Sequence, residues 1–521
     1  MRLIWRISLL LWAAPAFAGG VSEVRSFSTR EPVLAPAAAP LLPLDVRDAA
    51  MPLPLNLPQP LSVIGTNEAA VMAAIAPQTA IAAPTLQALG QSPAAQALAQ
   101  PGADPAPAIE NLFDGNSSRV ALLDGPVEAV DARADMISSA QESVFAAYYR
   151  FHLDAAGLSK LAMLRQAARA GRDVRLVLDP WGSGIPKAML RHLVDEGVQV
   201  RFYHRPSVSR LSWLWRRSHD KWTIVDGKKA ILGDRNMGDH YFGMGKKPWT
   251  SREAYIEGKV AAQAQAYALK LWNSAEVAAP RGLSSAPAVE IAGASRKLDA
   301  FDDHFAKRRA NGGLDLKPWT ARARTIAKAK FSHNMIGSRH GVTGTGLDLL
   351  KMIRRAEKTI VIENSYVVLP QVFKVELARA ISRGVRVILL TNSPQTNNLF
   401  WPRIAYEADA PELVRMGIEL WEFKGPGVLH AKAMVVDGRR SYLGSFNLDP
   451  RSLRLNTETG FIADDGGFAR DLLGQIRATQ VNSTLVAFQG RWVVPRSRVP
   501  VLSRLWGWAR RLLLALMREQ V

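Results

Sequence analysis

A polar motif repeats in this chain 211 residues apart, from His219 to His430. The first copy reads SHDKWTIVDGKKAILGDRNMGDHYF, and the second reads LHAKAMVVDGRRSYLGSFNLDPRS. The residues that recur at this offset are His219 and His430, Lys221 and Lys432, Asp226 and Asp437, Gly233 and Gly444, and Asn236 and Asn447. Duplication of a hydrophobic core alone would preserve apolar positions. The recurring residues here are polar or glycine, so they indicate a duplicated unit whose two copies both carry functional side chains. The alternative is a duplicated scaffold whose polar residues only cap turns and face solvent.

The spacing of histidine and lysine within each copy suits a β-strand. Residues i and i+2 of a strand point to the same face, so each histidine projects beside its lysine. If the two copies pack about a pseudo-twofold axis, two histidines and two lysines meet in one pocket. A neutral imidazole can attack phosphorus, and a second imidazole can donate and accept the proton. Lysine and asparagine donors can hold the phosphate oxygens, so the motif predicts phosphodiester chemistry.

Hydrophobic periodicity predicts alternating helices and strands ahead of each motif copy. Before the first copy, the predicted helices are 129–143, 158–170 and 186–196, and the predicted strands are 144–151, 174–179 and 198–204. Before the second copy, the predicted helices are 347–356, 372–382 and 410–416, and the predicted strands are 360–367, 385–391 and 418–423. This repeated order predicts an α/β fold in two similar halves.

The paired motifs resemble those of the phospholipase D superfamily, whose pattern is His-x-Lys-x4-Asp followed by Gly-Ser-x-Asn. Over residues 113–490, the runs GDRNMGDHYFG and NLDPRS are similar to the bacterial cardiolipin synthase branch. The resemblance implies a phospholipase D fold of two tandem, pseudo-twofold-related α/β lobes. Each lobe has a mixed β-sheet flanked by helices, and the active site lies at their interface. The resemblance also implies a phosphohistidine intermediate, with one histidine as nucleophile and the other as acid and base. It implies no cofactor or metal.

The resemblance also assigns roles to individual residues. The implied catalytic residues are His219, Lys221, Asp226, His430, Lys432 and Asp437, and the implied phosphate-binding residues are Asn236, Ser445 and Asn447. Glu458 is expected to orient a motif histidine; the first copy has no acid at that spacing, and Glu253 is a weaker candidate. Asp234 stands where the second copy has Ser445. Its carboxylate would oppose a bound phosphate unless it points away or pairs with Arg235.

The ends of the chain differ in composition from its middle. Residues 1–18 place Arg2 and Arg6 before an apolar run and an Ala-Phe-Ala site, which predicts a secretory signal peptide; an uncleaved anchor is the alternative. Residues 19–112, rich in alanine and proline, are interpreted as a flexible linker. The remaining predicted segments are lobe 1 at 113–285, a basic connector at 286–340, lobe 2 at 341–490 and a basic amphipathic tail at 491–521.

The charge of the chain predicts an anionic partner. The formal net charge is +20 and the sequence pI is about 10.3. In the tail, arginines on one helical face oppose leucines, a methionine and Trp506, which suits an anionic phospholipid membrane; docking on the protein's own body is the alternative. Trp213 and Trp215 stand among arginines just before His219. The expected location is therefore outside the cytoplasm, periplasmic or secreted, and membrane-associated.

Three activities fit these features. The favoured one is a phosphatidyltransferase that joins a phospholipid to a second lipid or an alcohol. A secreted phospholipase D hydrolase comes next, and a basic extracytoplasmic endonuclease acting on nucleic acid comes third. A lipid- or DNA-binding protein with weak catalysis is the remaining interpretation. No residue in the sequence decides whether an alcohol or water accepts the phosphoryl group, or which histidine attacks.

Overall fold

Two mixed β-sheets of nine strands each form the framework, one in each half of the chain. The computed structural model describes residues 117–123, 125–204, 216–245, 247–310, 317–337 and 344–494, all within one compact unit, Gly65–Val521. The other unit, Met1–Ile64, lies outside these ranges. The predicted signal peptide and linker, the two tryptophans before His219 and the tail from residue 495 onward also lie outside them. Within the described ranges, no helix has the length and apolar character needed to cross a membrane.

The first lobe alternates strands with helices up to its motif. Its strands are β1 (Ser118–Leu122), β2 (Ser143–Tyr148), β3 (Asp173–Leu178), β4 (Gln199–Tyr203), β5 (Lys221–Val225), β6 (Lys229–Gly233), β7 (Trp249–Thr250), β8 (Glu253–Gly258), β9 (Val277–Ala278) and β10 (Arg324–Ile326). Its helices are α1 (Gly125–Ser138), α2 (Ala155–Arg169), α3 (Lys187–Asp195), α4 (Lys259–Trp272), α5 (Ala288–Ala310) and α6 (Pro318–Arg322).

The second lobe repeats this arrangement. Its strands are β11 (Ala329–His333), β12 (Thr359–Asn364), β13 (Arg386–Asn392), β14 (Glu419–Phe423), β15 (Val428–Leu429), β16 (Lys432–Val436), β17 (Arg440–Gly444), β18 (Thr459–Asp464), β19 (Ser483–Phe488) and β20 (Arg491–Trp492). Its helices are α7 (Thr345–Arg354), α8 (Gln371–Ser382), α9 (Phe400–Arg415), α10 (Pro450–Arg454) and α11 (Gly466–Val481).

Eight strands of each sheet share one order, which places the two motifs alike; β10 in the first sheet and β20 in the second are additional edge strands. The orders are β10-β1-β8-β6-β5-β2-β3-β4-β9 and β11-β18-β17-β16-β12-β13-β14-β19-β20. In each sheet, three parallel strands (β2, β3 and β4, or β12, β13 and β14) are joined by crossover helices, so their carboxyl ends meet at one edge. The motif strands β5 and β16 run antiparallel to β2 and β12, and therefore begin at that edge. The predicted fold of two tandem α/β lobes is confirmed.

The segment expected as a connector, 286–340, is mostly regular structure. Helix α5 packs on the first lobe, where the buried guanidinium of Arg165 on α2 lies 2.8 Å from a carboxylate oxygen of Asp299. Strand β10 extends the first sheet beyond β1, and β11 pairs with β18 in the second sheet. The segment therefore completes both sheets, and the second lobe begins earlier than residue 341.

The lobes are joined by apolar, ionic and backbone contacts. Residues from both sheets, including Leu232 and Ile256 of lobe 1 and Phe461 of lobe 2, share one buried apolar cluster. Nε and Nη2 of Arg252 each donate to a carboxylate oxygen of Glu363 across the interface, both at 3.0 Å. Strands β7 and β15 form a parallel pair between the lobes, beside the edge where the motifs begin.

Candidate active site

The two motifs meet at the lobe interface, and each histidine is held by the backbone of the opposite lobe. His219 lies just before β5, and its N–H donates to the carbonyl oxygen of Thr457 at 3.2 Å. His430 lies just before β16, and its N–H donates to the carbonyl oxygen of Thr250 at 2.8 Å. Both side chains are buried. The site therefore exists only where the two lobes are joined.

Carboxylates pair with the histidines in the same crossed manner. Nδ1 of His219 lies 3.0 Å from both carboxylate oxygens of Glu458, which belongs to the second lobe. Nδ1 of His430 lies 3.1 Å from Oδ1 of Asp234, which belongs to the first lobe. Because a carboxylate only accepts hydrogen bonds, each Nδ1 carries the proton and each Nε2 keeps its lone pair. Both imidazoles are thus set to use Nε2 for chemistry.

The position of Asp234 corrects an expectation drawn from the sequence. Its carboxylate was expected to oppose a bound phosphate, to point away or to pair with Arg235; it accepts from His430 instead. Its second oxygen accepts the backbone N–H of Arg252 at 2.8 Å. Glu253, the weaker candidate for orienting a histidine, is buried in an ion pair with Arg133 and Arg235. A signal was present in the sequence, because an acid stands at the position of Ser445.

Glu458 is itself held by hydroxyl groups. Ser445 Oγ and Ser452 Oγ each donate to one of its oxygens, the second at 2.6 Å. Burial raises the pKa of Glu458 to about 7, against the opposing effect of the Lys221 ammonium. Ser445 was expected to bind phosphate, but its hydroxyl is directed at Glu458 and at the Thr459 backbone. Ser445 therefore holds the Glu458 carboxylate in place by a hydrogen bond.

The two lysines begin the motif strands, two residues after the histidines, and are fully buried. The ammonium of Lys221 donates to the backbone carbonyl of His219, and the ammonium of Lys432 donates to that of His430. Burial lowers the pKa of Lys221 well below its usual value and lowers that of Lys432 to about 8. Each ammonium is therefore held close to its histidine and keeps donors for a phosphate.

Burial also sets the charge of the two imidazoles. It lowers the pKa of His219 well below the ordinary value, and the Lys221 and Lys432 ammoniums lower it further. The same causes lower the pKa of His430. Both rings are consequently neutral near pH 7, the state in which an imidazole can attack phosphorus.

The asparagines that end each motif are buried, with their amides fixed. Oδ1 of Asn236 accepts the backbone N–H of Arg150 at 3.0 Å, and its Nδ2 donates to the Tyr241 hydroxyl at 3.1 Å. Oδ1 of Asn447 accepts from the Ser365 hydroxyl at 3.1 Å. Since the oxygens are engaged by the protein, the remaining N–H groups of the two amides are the donors available to phosphate.

The motif aspartates lie elsewhere, which differs from the catalytic role expected for them. Asp226 is at the far end of β5, about 15 Å along the strand from Lys221, and its carboxylate accepts backbone N–H groups of residues 141–143 at 2.8–2.9 Å. Asp437 accepts those of residues 357–359. Both adopt positive φ before glycine, the conformation of a tight hairpin turn. They fix the turn that ends each motif strand.

Aromatic rings line both histidines and were not singled out from the sequence. The Tyr149 ring lies 5.1 Å from that of His219. The rings of Tyr241, Trp249 and Tyr366 lie 5.1, 5.3 and 6.5 Å from that of His430. Tyrosine and tryptophan exclude water while offering polar edges. The available signal was aromatic residues at the ends of β2 and β12, the strands next to the motif strands.

Comparison with known proteins agrees with this geometry. The family described as cardiolipin synthase, PLD-like domain matches residues 134–265 and 349–478, together about half of the chain. Each matched stretch contains one motif copy.

Named relatives have similar sequences along most of their length. Cardiolipin synthase C of Escherichia coli (strain K12) is 27% identical over 412 residues, covering 71% of this chain and 86% of that protein. A cardiolipin synthase of Oceanobacillus iheyensis is 26% identical over 361 residues, covering 68% and 67%. The crystal structure of phosphatidylserine synthase from Haemophilus influenzae Rd KW20 superposes with a TM-score of 0.58 at 15% identity, over 79% of this chain and 98% of that chain. That likeness shows a shared fold.

Proposed function

The chain belongs to the family of cardiolipin synthase PLD-like domains, as its paired motifs predicted, and from this premise we propose that it is a cardiolipin synthase-like phosphatidyltransferase. It is an enzyme of phospholipid phosphodiester transfer. In the proposed reaction, the phosphatidyl group of one phospholipid moves to a hydroxyl of a second lipid or an alcohol. The relatives named as cardiolipin synthases support phospholipids as the substrate class.

One observation carries the proposal: two histidines face one site, each with Nδ1 bound to a carboxylate of the opposite lobe. This arrangement supplies two equivalent reactive nitrogens, and a two-step transfer needs both. One Nε2 attacks phosphorus, while the other histidine gives a proton to the departing alkoxide. The second histidine then takes the proton of the incoming hydroxyl, whose oxygen displaces the first histidine from phosphorus. The covalent phosphohistidine belongs to this proposal.

The lysines explain how the site tolerates the charge of the phosphate. A phosphodiester anion placed between Lys221 and Lys432 would replace the repulsion between their ammoniums with attraction. The same anion would raise the pKa of the histidine that acts as acid, which allows it to hold a proton. The Asn236 and Asn447 amides complete a set of donors for the non-bridging oxygens.

A membrane surface is the partner we propose for the edge that carries the site. Among the described residues with large exposed apolar side chains, both aromatic ones lie on segments that follow β3 and β13, at the edge where the motif strands begin. Trp181 is 51% exposed, and the Arg217 guanidinium lies over its ring. Phe400 is 64% exposed and lies two residues after Asn398, which accepts from the Tyr366 hydroxyl. Exposed aromatic rings with nearby cations favour the interface of an anionic bilayer.

Export remains part of the proposal, on the strength of the N-terminal sequence. Arg2 and Arg6 before an apolar run and an Ala-Phe-Ala site suit secretion to the periplasm or the medium. Fractionation of the native cells, with the N-terminus of the mature chain determined by sequencing, tests it.

The full chain incubated with phosphatidylglycerol vesicles, with and without glycerol or phosphatidylethanolamine, tests the activity. The buffer would contain a chelator, and the control is the His219→Ala, His430→Ala double variant. Cardiolipin or another transfer product that the double variant does not form is the expected result. Quenching with detergent at alkaline pH, after incubation with lipid radiolabelled at phosphorus, should trap phosphate on the protein as an acid-labile, base-stable adduct, which tests the phosphohistidine.

Other outcomes point to the alternative activities. Phosphatidic acid alone, with every acceptor, would indicate a hydrolase and contradict the transferase. No lipid turnover, together with cutting of DNA that the double variant loses, would indicate a nuclease.

A further inference from the structure

Arg150 brings to the site a guanidinium that belongs to neither motif. It follows β2, and its backbone is fixed there: its N–H donates to Oδ1 of Asn236 at 3.0 Å, and its carbonyl oxygen accepts the N–H of Met237 at 3.2 Å. The Arg150 side chain is half-buried, whereas those of Lys221 and Lys432 are fully buried. The guanidinium is therefore reached from solvent more easily than the two ammoniums.

The charge of Arg150 acts on both motif histidines. Burial and the lysine ammoniums lower the pKa of His219 and that of His430, and the Arg150 guanidinium lowers both further. This guanidinium lies over the Tyr149 ring, 5.9 Å from its centroid, and that ring is 5.1 Å from the ring of His219. The Lys221 ammonium lies 5.5 Å from the same Tyr149 centroid. Arg150 is therefore a third cation in the space that the two imidazoles face.

The two lysines have carboxylates nearby, whereas the Arg150 guanidinium has no ion pair or hydrogen bond with the described residues. Burial lowers the pKa of both lysines, and the Glu458 carboxylate opposes this effect at Lys221, as that of Asp234 does at Lys432. A partly buried cation loses solvation, and without a partner it gains no attraction in return. The guanidinium therefore favours an anion that enters the site.

The fold does not require a cation at this position, because the equivalent position of the second lobe holds a tyrosine. In the pairing of β2 with β5 and of β12 with β16, the motif lysines lie opposite Tyr148 and Asn364. Two residues after these stand Arg150 in lobe 1 and Tyr366 in lobe 2. Since a neutral ring fills the same place at the end of β12, the charge of Arg150 is not needed to build the sheet.

We propose that Arg150 is a further catalytic residue, whose guanidinium binds a non-bridging phosphate oxygen of the phospholipid beside the two lysine ammoniums. This inference rests on the proposed function, because it takes a phospholipid as the substrate, and it applies whether an alcohol or water is the acceptor. The phosphate anion supplies the partner that the guanidinium lacks. A guanidinium also presents its N–H groups as a planar fork, which suits phosphate better than a further ammonium does.

Rescue by free guanidinium provides the test. Turnover of a short-chain, monomeric phosphatidylglycerol by the full chain is measured as the sum of all phosphatidyl products, so that neither membrane contact nor the choice of acceptor affects the result. The variants are Arg150→Ala and Arg150→Tyr, the second of which introduces the residue that lobe 2 has at this position. Each is assayed with guanidinium chloride, below the concentration that unfolds the chain, and with sodium chloride at the same ionic strength.

Arg201 on β4 provides the matched control. Its side chain is also half-buried, and its guanidinium also lies over an aromatic ring, 4.3 Å from the centroid of Trp272 at the end of α4. Arg201→Ala should turn over lipid at the rate of the unaltered chain, and added guanidinium should not increase that rate.

The inference predicts a loss and its specific recovery. In Arg150→Ala, kcat/KM should fall about tenfold to a hundredfold, the loss expected for one charge-assisted hydrogen bond, and guanidinium but not sodium should restore part of it. Arg150→Tyr should lose as much and recover nothing, because its ring fills the space. Undiminished turnover in both variants, or a loss in Arg150→Ala that guanidinium leaves unchanged, would overturn the role of Arg150. Absence of any lipid turnover by the unaltered chain would instead contradict the proposed function on which the inference rests.

Discussion

At the scale of single residues, each motif histidine depends on one carboxylate from the other lobe. Replacing Asp234 with Asn, which carries no charge, removes the partner that fixes Nδ1–H on His430. We expect kcat for lipid turnover to fall about a hundredfold, within the range that acid and base groups contribute, with KM little changed. Steady-state kinetics on vesicles measures both constants. Glu458→Gln should behave in the same way through His219.

A substitution at a motif aspartate is a matched comparison for Asp234→Asn, because the motif aspartates stabilise hairpin turns and do not contact the histidines. Asp226→Asn should lower the free energy of unfolding by about 2 kcal/mol, through weaker bonds to three backbone amides, and leave kcat of the folded fraction nearly unchanged. Denaturant titration and kinetics on the same preparation measure the two. A loss of kcat as large as that of Asp234→Asn would contradict the structural role.

The loss of unfolding free energy in Asp226→Asn should depend on pH, because the pKa of Asp226 is shifted in the folded chain. Burial alone would raise this pKa, but the backbone amides outweigh it and lower it. A carboxyl whose pKa is lower in the folded state stabilises the fold above its unfolded pKa, and the stabilisation disappears as pH falls through the folded value. The difference in unfolding free energy between the unaltered chain and Asp226→Asn should therefore be constant from pH 7 to 5 and shrink below about pH 4.

Lys432 should set the upper limit of the pH range in which the enzyme is active. Burial lowers its pKa to about 8, so the free enzyme loses this positive charge as pH rises through that value. Since binding of an anionic phosphodiester needs the charge, kcat/KM should decline above about pH 8. Lys432→Arg should be less active but should not show that decline, because a guanidinium stays protonated. A pH profile with the same alkaline limb in both proteins would contradict the assignment.

The sequence predicted the repeated residues but not their partners. His219, Lys221 and their second-lobe equivalents could be found because identical spacing recurs on strands. The pairing of His219 with Glu458 joins positions 239 residues apart across an interface, and no local pattern encodes it. Asp234 was noticed as a departure, yet its acceptor role appears only once the lobes are placed face to face.

At the scale of elements, periodicity located the helices and strands well where one face is apolar. It failed on α5, whose composition is mostly polar and whose contact with the first lobe depends on the buried charge of Arg165. Short edge strands such as β10, with three residues, carry too little pattern to be recognised. The 286–340 segment was therefore expected to be a connector, although it completes both sheets.

The segments that follow β3 and β13 at the carboxyl edge supply the exposed aromatic residues, and the contribution of these residues to membrane binding can be separated from catalysis. Trp181→Ser with Phe400→Ser should weaken binding to vesicles containing anionic phospholipid by about tenfold or more, because each buried ring contributes at least about 1.5 kcal/mol. Turnover of a short-chain, monomeric phospholipid should change much less. Vesicle sedimentation and a monomer assay measure the two.

The control for this pair lies on another part of the surface. Val194 is 38% exposed near the carboxyl end of α3, away from the edge that carries the site. Val194→Ser should leave vesicle binding unchanged. Equal binding by the aromatic pair variant and the unaltered chain would place the membrane contact elsewhere.

At the scale of the whole molecule, the site is a property of the joined lobes, so their ionic contact should affect both stability and rate. Arg252 and Glu363 are buried, and the Arg252 guanidinium also donates to the Thr479 hydroxyl at 2.6 Å. The Arg252 backbone N–H holds Asp234, the partner of His430. A change at the interface therefore reaches the reacting imidazole through one residue.

Glu363→Gln should be the most destabilising of these substitutions, because it leaves the Arg252 charge buried without a carboxylate. Removing one partner of a buried ion pair costs about 3–5 kcal/mol, whereas replacing both with apolar residues costs far less. We therefore expect a large loss of unfolding free energy in Glu363→Gln and substantial recovery in Arg252→Met with Glu363→Met. Denaturant titration measures the stability, and kcat on monomeric lipid shows whether the distortion reaches Asp234. If Glu363→Gln unfolds at the same denaturant concentration as the unaltered chain, the apolar interface alone holds the lobes together.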